Sequence, residues 1–134
     1  MTTIEVVKSD KESIFMKIFS PRIHGYLDFL TVVIFLLAPT VLGLSGLPAY
    51  LAYGLAVVHL IVTLASDFPF GIAKIIPFYI HGWIERIVGP VLVVVPFVLG
   101  FDADEVARNF YVVMGAIIIV VGILTDYRGS GEIK

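Results

Sequence analysis

The sequence predicts an all-α polytopic membrane protein with four transmembrane helices, arranged as two tandem helical hairpins with short interfacial amphipathic segments. Composition is the first reason, because 59% of the residues are hydrophobic and only 15% are charged, whereas charged residues make up about a quarter of an ordinary soluble domain. Two further observations support the prediction: the charged residues leave long gaps, and most of the chain is an internal repeat.

The gaps between charged residues have the length of membrane spans. Residues 30–65, 89–100 and 110–124 contain no Asp, Glu, Lys or Arg. A helix needs about 20 mostly apolar residues to cross the hydrocarbon core of a bilayer, and the first gap is long enough for parts of two helices. We therefore expect four spans, at residues 27–44, 49–65, 84–101 and 106–124.

The chain contains two copies of one structural unit. Residues 17–44 align without a gap with residues 74–101, so each position of the first copy has an equivalent 57 residues later. A period of this length indicates two supersecondary units that bury their faces against each other. The best-matched positions are His24-Gly25 with His81-Gly82, Pro39 with Pro96, and, at an offset of 59, Ser66-Asp67-Phe68 with Thr125-Asp126-Tyr127.

The repeat predicts one membrane domain, residues 1–134, with a first repeat at about 13–68 and a second at about 70–128. Since each repeat crosses the membrane twice, both copies have the same orientation, and their pseudo-twofold axis runs along the membrane normal. Each repeat begins with a short amphipathic segment, residues 13–23 or 70–80, which we place in the headgroup region.

The distribution of Lys and Arg predicts the orientation. Eight of these nine residues lie on the side that holds both termini and the loop between the repeats, and only Arg108 lies on the other side. Cytoplasmic loops carry the excess of positive charge, so both termini are expected in the cytoplasm. No basic stripe for nucleic acid is present, which leaves the lipid bilayer as the expected partner. The eight residues are Lys8, Lys11, Lys17, Arg22, Lys74, Arg86, Arg128 and Lys134.

The motifs of each repeat follow one order. Each copy reads His-Gly-x-x-(Asp/Glu), an apolar run, Pro-x-Val-Leu-Gly, a return helix and then (Ser/Thr)-Asp-(Phe/Tyr), over roughly residues 17–128. This order resembles the SPW-repeat family of small bacterial membrane proteins. Where the family has Ser-Pro-Trp, this chain has Ala38-Pro39-Thr40 and Val95-Pro96-Phe97, so the proline is the retained residue. The resemblance implies the fold and a bacterial cytoplasmic membrane, and it leaves the activity open.

Each repeat places a histidine four residues before a carboxylate. His24 and Asp28 form one pair, and His81 and Glu85 form the other, so on a helix each pair shares a face. If the two faces meet, two imidazoles and two carboxylates converge near the cytoplasmic surface, a ligand set that suits zinc, iron or manganese. The histidines could instead hold a haem or a chlorin, or the pairs could have a purely structural role, which we favour.

His59 lies near the middle of the second span, where an ionisable residue is a functional candidate. Its repeat equivalent is Ile118, so this histidine has no counterpart in the second copy. A single imidazole can ligate haem iron or chlorin magnesium. The simpler expectation is a neutral histidine that hydrogen-bonds across helices, with Thr31 or Thr63 as its partner.

Two further acids, Asp67 and Asp126, end the return spans. An acid at a helix C-terminus is unfavourable unless it is paired, and several Arg and His residues are predicted on the same side. The candidate partners are Arg22, His24, His81 and Arg86. We therefore expect a structural polar ring at the cytoplasmic end of the bundle. Its members are His24, Asp28, Asp67, His81, Glu85, Arg86 and Asp126.

The function class follows by elimination. The sequence contains no nucleophile–base pair, Gly-rich phosphate loop or Walker motif, and the lack of cysteine excludes thiol chemistry and Fe–S clusters. We expect a non-catalytic structural or accessory subunit of a membrane complex, or a homo-oligomer, with no bound metal or cofactor. The alternative is a membrane subunit that binds haem, a pigment or a metal through His59 or through the His24/His81 pair.

Overall fold

A computed structural model describes residues 18–128 of the chain. These residues form four helices, each long and apolar enough to cross a membrane, which confirms the predicted all-α membrane fold. In chain order the elements are α1 (Pro21–Leu42), α2 (Leu47–Ala65), β1 (Ser66–Asp67), β2 (Ile76–Pro77), α3 (Phe78–Val98) and α4 (Glu105–Leu124). Residues 13–17 of the first predicted amphipathic segment, together with Lys8, Lys11 and Lys134, lie outside the described residues.

Local sequence explains where the helices begin and end. Ser20 caps α1 by accepting a hydrogen bond from the backbone N–H of Ile23 at 3.3 Å. Pro21 follows at the first helical position, where its missing N–H has no cost. Asp104 caps α4 in the same way, at 3.1 Å from a backbone N–H of the first turn. Gly43 ends α1 in a left-handed conformation with φ of 67°.

The first and third helices begin earlier than predicted. Helix α1 starts at Pro21 rather than at residue 27, and α3 starts at Phe78 rather than at residue 84. The prediction followed the apolar stretch, whereas the Ser20 cap and Pro21 set the start of α1, and Pro77 directly precedes α3. The His-Gly motif therefore lies inside each helix, about one turn from its beginning.

The second predicted amphipathic segment, residues 70–80, is not a helix of its own. Its first half is a loop, and the rest forms β2 and the start of α3. The loop folds back on the end of α2, where Ile72 N–H donates to the Leu64 carbonyl at 2.7 Å and Ile75 N–H to the Ala65 carbonyl at 2.8 Å. These bonds satisfy carbonyls that the last turn of a helix leaves unpaired.

Backbone pairing joins the two repeats crosswise. Strand β1 pairs in parallel with β2, so Ser66 at the end of the first repeat lies beside Ile76 at the start of the second. The equivalent residues also pair in parallel, with the repeats exchanged: Phe19 at the start of the first repeat bridges to Thr125 at the end of the second. The end of each hairpin is thus attached to the beginning of the other, as a pseudo-twofold relation requires.

Helices pack most extensively within each hairpin. Gly89 and Gly115 allow α3 and α4 to approach closely, because a Cβ at Gly115 would lie 2.6 Å from the Gly89 carbonyl oxygen. The core also joins the hairpins: buried Tyr111 of α4 donates to the Pro48 carbonyl of α2 at 2.6 Å. Side chains from all four helices complete it, including Phe35, Ala52, Ala56, Leu92, Met114 and Ile118.

Two other helical glycines are not needed for helix packing. A Cβ at Gly54 would meet nothing within 4 Å, and one at Gly122 would make only ordinary contacts, the nearest at 3.7 Å. Of these four glycines, Gly89 and Gly115 are the ones at which two helices approach closely.

Apolar side chains cover much of the outer surface of the bundle. Tyr26 in α1 and its equivalent Trp83 in α3 are more than half exposed, near the start of their helices. Large amphipathic aromatic residues are typical of the membrane–water interface. Their position fits an aromatic belt at this interface.

We expect Gly115→Ala to destabilise the protein and Gly54→Ala to leave it unchanged or slightly more stable. The first adds a methyl group against backbone atoms of α3, and overpacking of this kind costs about 1–3 kcal/mol. The second adds a methyl group in open space, where alanine is favoured over glycine in a helix by about 0.5–1 kcal/mol. Thermal unfolding of both variants in detergent measures the difference. Equal melting temperatures would contradict the close crossing of α3 and α4.

Candidate functional site

Four ionisable side chains meet inside the bundle, near the end where the two repeats pair crosswise. His24 and Asp28 extend from α1, and His81 and Glu85 extend from the equivalent face of α3. All four are buried, with exposed fractions of 0%, 2%, 1% and 6% respectively. We call this group the His-carboxylate cluster.

The distances within the cluster are short and similar. The two Nε2 atoms are 3.5 Å apart. His24 Nε2 lies 3.1 Å from Asp28 Oδ1 and 3.3 Å from Glu85 Oε2. His81 Nε2 lies 3.4 Å from Asp28 Oδ2 and 3.5 Å from Glu85 Oε1. Each imidazole therefore faces the carboxylate of its own repeat and that of the other repeat.

Two hydroxyl groups hold the outer edges of the imidazoles. Thr125 Oγ1 lies 2.9 Å from Nδ1 of His24, and Ser66 Oγ lies 2.8 Å from Nδ1 of His81. Ser66 and Thr125 are equivalent positions of the repeat, and each contacts the histidine of the other repeat. The crosswise pattern of the backbone is thus reproduced by these side chains.

These contacts determine which imidazole nitrogen carries a proton. The hydroxyl of Ser66 donates its one hydrogen to the Val62 carbonyl at 2.6 Å, and that of Thr125 donates to the Val121 carbonyl at 2.7 Å. Each hydroxyl oxygen must therefore accept from a histidine Nδ1–H. The Nε2 atoms, which point at each other and at the carboxylates, are the second nitrogens of the two rings.

The carboxylates are held by donors of their own. Thr63 donates to Asp28 Oδ2 at 3.2 Å, and the Tyr127 hydroxyl donates to Glu85 Oε2. Burial, followed by the neighbouring carboxylate of Glu85, raises the pKa of Tyr127 well above its usual value. The phenol therefore stays protonated and remains a donor.

Glycines beside the histidines make room for aromatic rings. A Cβ at Gly25 would lie 2.7 Å from the Phe68 ring, and one at Gly82 would lie 2.7 Å from the Tyr127 ring. Phe68 and Tyr127 are equivalent in the repeat, and both pack with Phe78 in a small buried cluster next to the histidines. Each His-Gly motif therefore supplies a polar group and a space for an aromatic ring, and that ring packs against the histidine of the other repeat.

His59 faces Asp28 rather than the predicted threonine partners. Thr31 donates to the Leu27 carbonyl of its own helix and Thr63 donates to Asp28, so the expected hydrogen bonds of His59 are wrong. Its Nε2 lies 3.4 Å from Asp28 Oδ1 and is buried without a hydrogen-bond partner among the described residues.

Three members of the predicted polar ring lie apart from the cluster. Asp67 is exposed and lies 3.8 Å from Lys74, so none of its four predicted partners is the one observed. The Arg86 guanidinium lies over the Trp83 ring at 5.1 Å and over the Tyr127 ring at 5.7 Å. Asp126 is buried and accepts from the Arg128 backbone N–H at 3.2 Å.

Sequence reasoning did not assign roles to three residues that contact the cluster, Ser66, Thr125 and Tyr127. It assigned Thr63 to a different partner, His59, instead of Asp28. The repeat contained part of this signal. Ser66 and Thr125 are the hydroxyl positions of a triplet that is aligned in both copies. A buried imidazole needs a partner for its second nitrogen, and a hydroxyl kept in both repeats was a candidate for it.

The cluster has the composition and spacing to hold a cation, and it has little room for a larger group. One ligand atom from each of the four residues lies within 4.8 Å of the others. The cavity beside His59, His81 and Glu85 has a volume of about 50 Å³, whereas pockets for larger organic ligands have volumes of about 300–1,000 Å³. This geometry does not favour the haem or chlorin alternative.

We expect Asp28→Asn to lower stability far more than Asp67→Asn. Both changes remove one carboxylate, but Asp28 is buried between imidazoles and Asp67 is exposed beside Lys74. Breaking a buried pair costs about 3–5 kcal/mol, whereas an exposed pair contributes about 0–1 kcal/mol. Melting temperatures in detergent test this, and similar losses for the two variants would contradict the assignment of Asp28 to the cluster.

Comparison with known families finds a match. The SPW repeat domain matches residues 22–125, a range that contains the four cluster residues and both hydroxyl partners. No curated protein and no solved structure matches the chain. With most of its length matched and the repeated His-Gly-x-x-acid helices brought together in its core, the chain belongs to the SPW-repeat family.

Proposed function

We propose that this membrane protein has a structural or accessory role without catalytic activity, and that the His-carboxylate cluster fastens its two hairpins together. The observation that carries the proposal is the crosswise exchange, in which His24 bonds Thr125 of the second repeat and His81 bonds Ser66 of the first.

The membrane environment explains why such bonds matter. Helices surrounded by lipid gain little from apolar burial, so packing and interhelical hydrogen bonds hold them together. Helix packing is most extensive within each hairpin. The cluster supplies polar contacts between the hairpins near the end where the strands pair, and the hydrogen bond from Tyr111 to Pro48 supplies another between α4 and α2.

The surroundings of the cluster support a role without catalysis. Phe68, Phe78 and Tyr127 pack over the histidines, and they also line a cavity of about 830 Å³. This cavity has no His24 or His81 in its lining, so the rings lie between it and the imidazoles. A substrate in this larger cavity would have to displace these rings to reach the imidazoles.

The accessory part of the proposal rests on the outer surface. The exposed apolar side chains are suited to contact with lipid or with other transmembrane helices. We propose that the protein resides in the bacterial cytoplasmic membrane with both termini in the cytoplasm, as a homo-oligomer or as a subunit of a larger complex. The positive charges described at the cluster end, Arg22, Lys74, Arg86 and Arg128, support this orientation.

We expect reporter fusions at residue 134 and in the loop at residues 43–47 to report opposite sides of the membrane. The positive-inside rule places the C-terminus in the cytoplasm, and an odd number of helices separates it from that loop. Paired phosphatase and fluorescent-protein fusions at the two positions measure this. Signals from the same side would contradict the topology, and a periplasmic C-terminus would contradict the orientation.

We expect Ser66→Ala and Thr125→Ala to weaken association of the hairpins. Each leaves a buried histidine Nδ1–H without its acceptor, which costs about 1–3 kcal/mol. The measurement uses residues 1–73 and 74–134 as separate co-expressed chains, and compares how much of the second chain co-purifies with the first.

Thr31→Ala is the matched control for this experiment, because within residues 18–128 the Thr31 hydroxyl bonds only the Leu27 carbonyl of its own helix, α1. It should leave association unchanged. Association that is equally strong in Ser66→Ala, Thr125→Ala and the double variant would argue against the cluster as the fastening between hairpins.

A further inference from the structure

We propose that His24, Asp28, His81 and Glu85 bind one divalent first-row transition-metal ion, with Zn²⁺ as the first ion to test. The inference goes beyond the structural role proposed above and does not depend on it. It rests on the direction of the donor atoms, their spacing, the groups that orient them and the charge that they bring together.

The direction of the donor atoms comes first. The hydroxyls of Ser66 and Thr125 give their hydrogens to backbone carbonyls, so each accepts from a histidine Nδ1–H. In a neutral imidazole the other nitrogen, Nε2, then carries a lone pair. Two Nε2 atoms and two carboxylates therefore point acceptor atoms at one buried space. Such an arrangement is unfavourable without a cation or additional protons between them.

The spacing of these atoms is close to that of a four-ligand metal site. Zinc binds histidine nitrogen and carboxylate oxygen at about 2.0–2.2 Å, so neighbouring ligands of a tetrahedron lie about 3.3–3.6 Å apart. The His24–His81 Nε2 distance is 3.5 Å, and each Nε2 lies 3.1–3.5 Å from one oxygen of each carboxylate. The two imidazoles face different oxygens of each carboxylate, and one ligand atom from each of the four residues lies within 4.8 Å of the others, so a bound ion needs only a small inward shift of these side chains.

A layer of outer groups orients every ligand. Ser66 and Thr125 each hold a histidine at Nδ1, Thr63 donates to Asp28, and Tyr127 donates to Glu85. Metal-bound histidines almost always donate their second N–H to such a partner, and metal-bound carboxylates are in turn hydrogen-bonded. In this cluster each of the four ligands has an outer partner of this kind.

Ligand chemistry identifies the class of ion. Imidazole together with carboxylate suits zinc, iron or manganese, whereas Mg²⁺ and Ca²⁺ prefer oxygen ligands alone. The chain has no cysteine, so no thiolate is available to select Cu(I) or an Fe–S cluster. Two neutral imidazoles and two carboxylates carry two negative charges, which one divalent ion neutralises. This matters because uncompensated charge inside a membrane protein is costly.

The small cavity beside His59 is the open side of the site. It has a volume of about 50 Å³ and is lined by His59, His81 and Glu85, among others. This is enough for one water molecule, which occupies about 30 Å³ in the liquid. His59 approaches Asp28 but lies outside the four-residue set, so we do not include it among the ligands.

The test is metal analysis of the full-length protein purified in detergent. After loading with Zn²⁺, Mn²⁺ or Fe²⁺ and gel filtration, elemental analysis should find about one ion per chain, as a single buried site requires. Excess Mg²⁺ or Ca²⁺ should not displace it. Removal of the ion with a chelator should lower the melting temperature, and Zn²⁺ should restore it.

Variants locate the ion. His24→Gln, His81→Gln and Asp28→Asn should lose it, while Ser66→Ala, which changes only an orienting group, should weaken affinity about 10–100-fold. Asp67→Asn is the matched control, since it removes an exposed carboxylate at the same end of the bundle, and it should retain the ion.

Three results would overturn the metal site. One is a folded wild-type chain that holds no stoichiometric transition metal after loading, which needs no variant to fold. Another is metal that His24→Gln, His81→Gln and Asp28→Asn retain as well as wild type does. The third is a haem or chlorin absorption band that depends on these histidines. If no metal is bound but Ser66→Ala and Thr125→Ala still separate the hairpins, the structural role stands without the metal.

Discussion

The central constraint on this structure is the burial of four polar side chains inside an apolar bundle. His24, Asp28, His81 and Glu85 are almost fully removed from the surface, and groups of this kind are costly to bury unless each one has partners. Neighbouring residues supply these partners. Hydroxyls from the helix ends hold the imidazoles, and glycines next to the histidines admit the aromatic rings that cover them.

The internal repeat supplies these contacts twice, because equivalent residues of the two copies make equivalent bonds. The end of each hairpin contacts the beginning of the other, in the backbone through Ser66 with Ile76 and Phe19 with Thr125, and in the side chains through the histidine–hydroxyl bonds. A site on a pseudo-twofold axis receives the same groups from both sides. Glu85 and Asp28 differ by one methylene, and His59 has no counterpart, so the symmetry of the site is approximate.

The same geometry suits two roles. One is a set of hydrogen bonds that holds the hairpins together, and the other is the binding of a metal ion. In both, the acceptor atoms need positive charge at the centre of the cluster, supplied either by protons on Nε2 or by an ion. The outer partners of Asp28 and Glu85 are compatible with both, and the convergence of two Nε2 atoms and two carboxylates on one buried space favours a single central ion. The overlying aromatic rings would keep water away from either arrangement.

The sequence alone determined the membrane fold, the repeat and the pairing of a histidine with an acid on one helix face, because hydropathy and periodicity are local properties. Tertiary structure decided which polar residues meet. Asp67 and Asp126 are equivalent in the repeat, yet one is exposed beside Lys74 and the other is buried. The partner of His59 and the hydroxyl partners of His24 and His81 likewise depend on contacts between helices. Such contacts follow from how the hairpins pack, and no spacing within one helix specifies them.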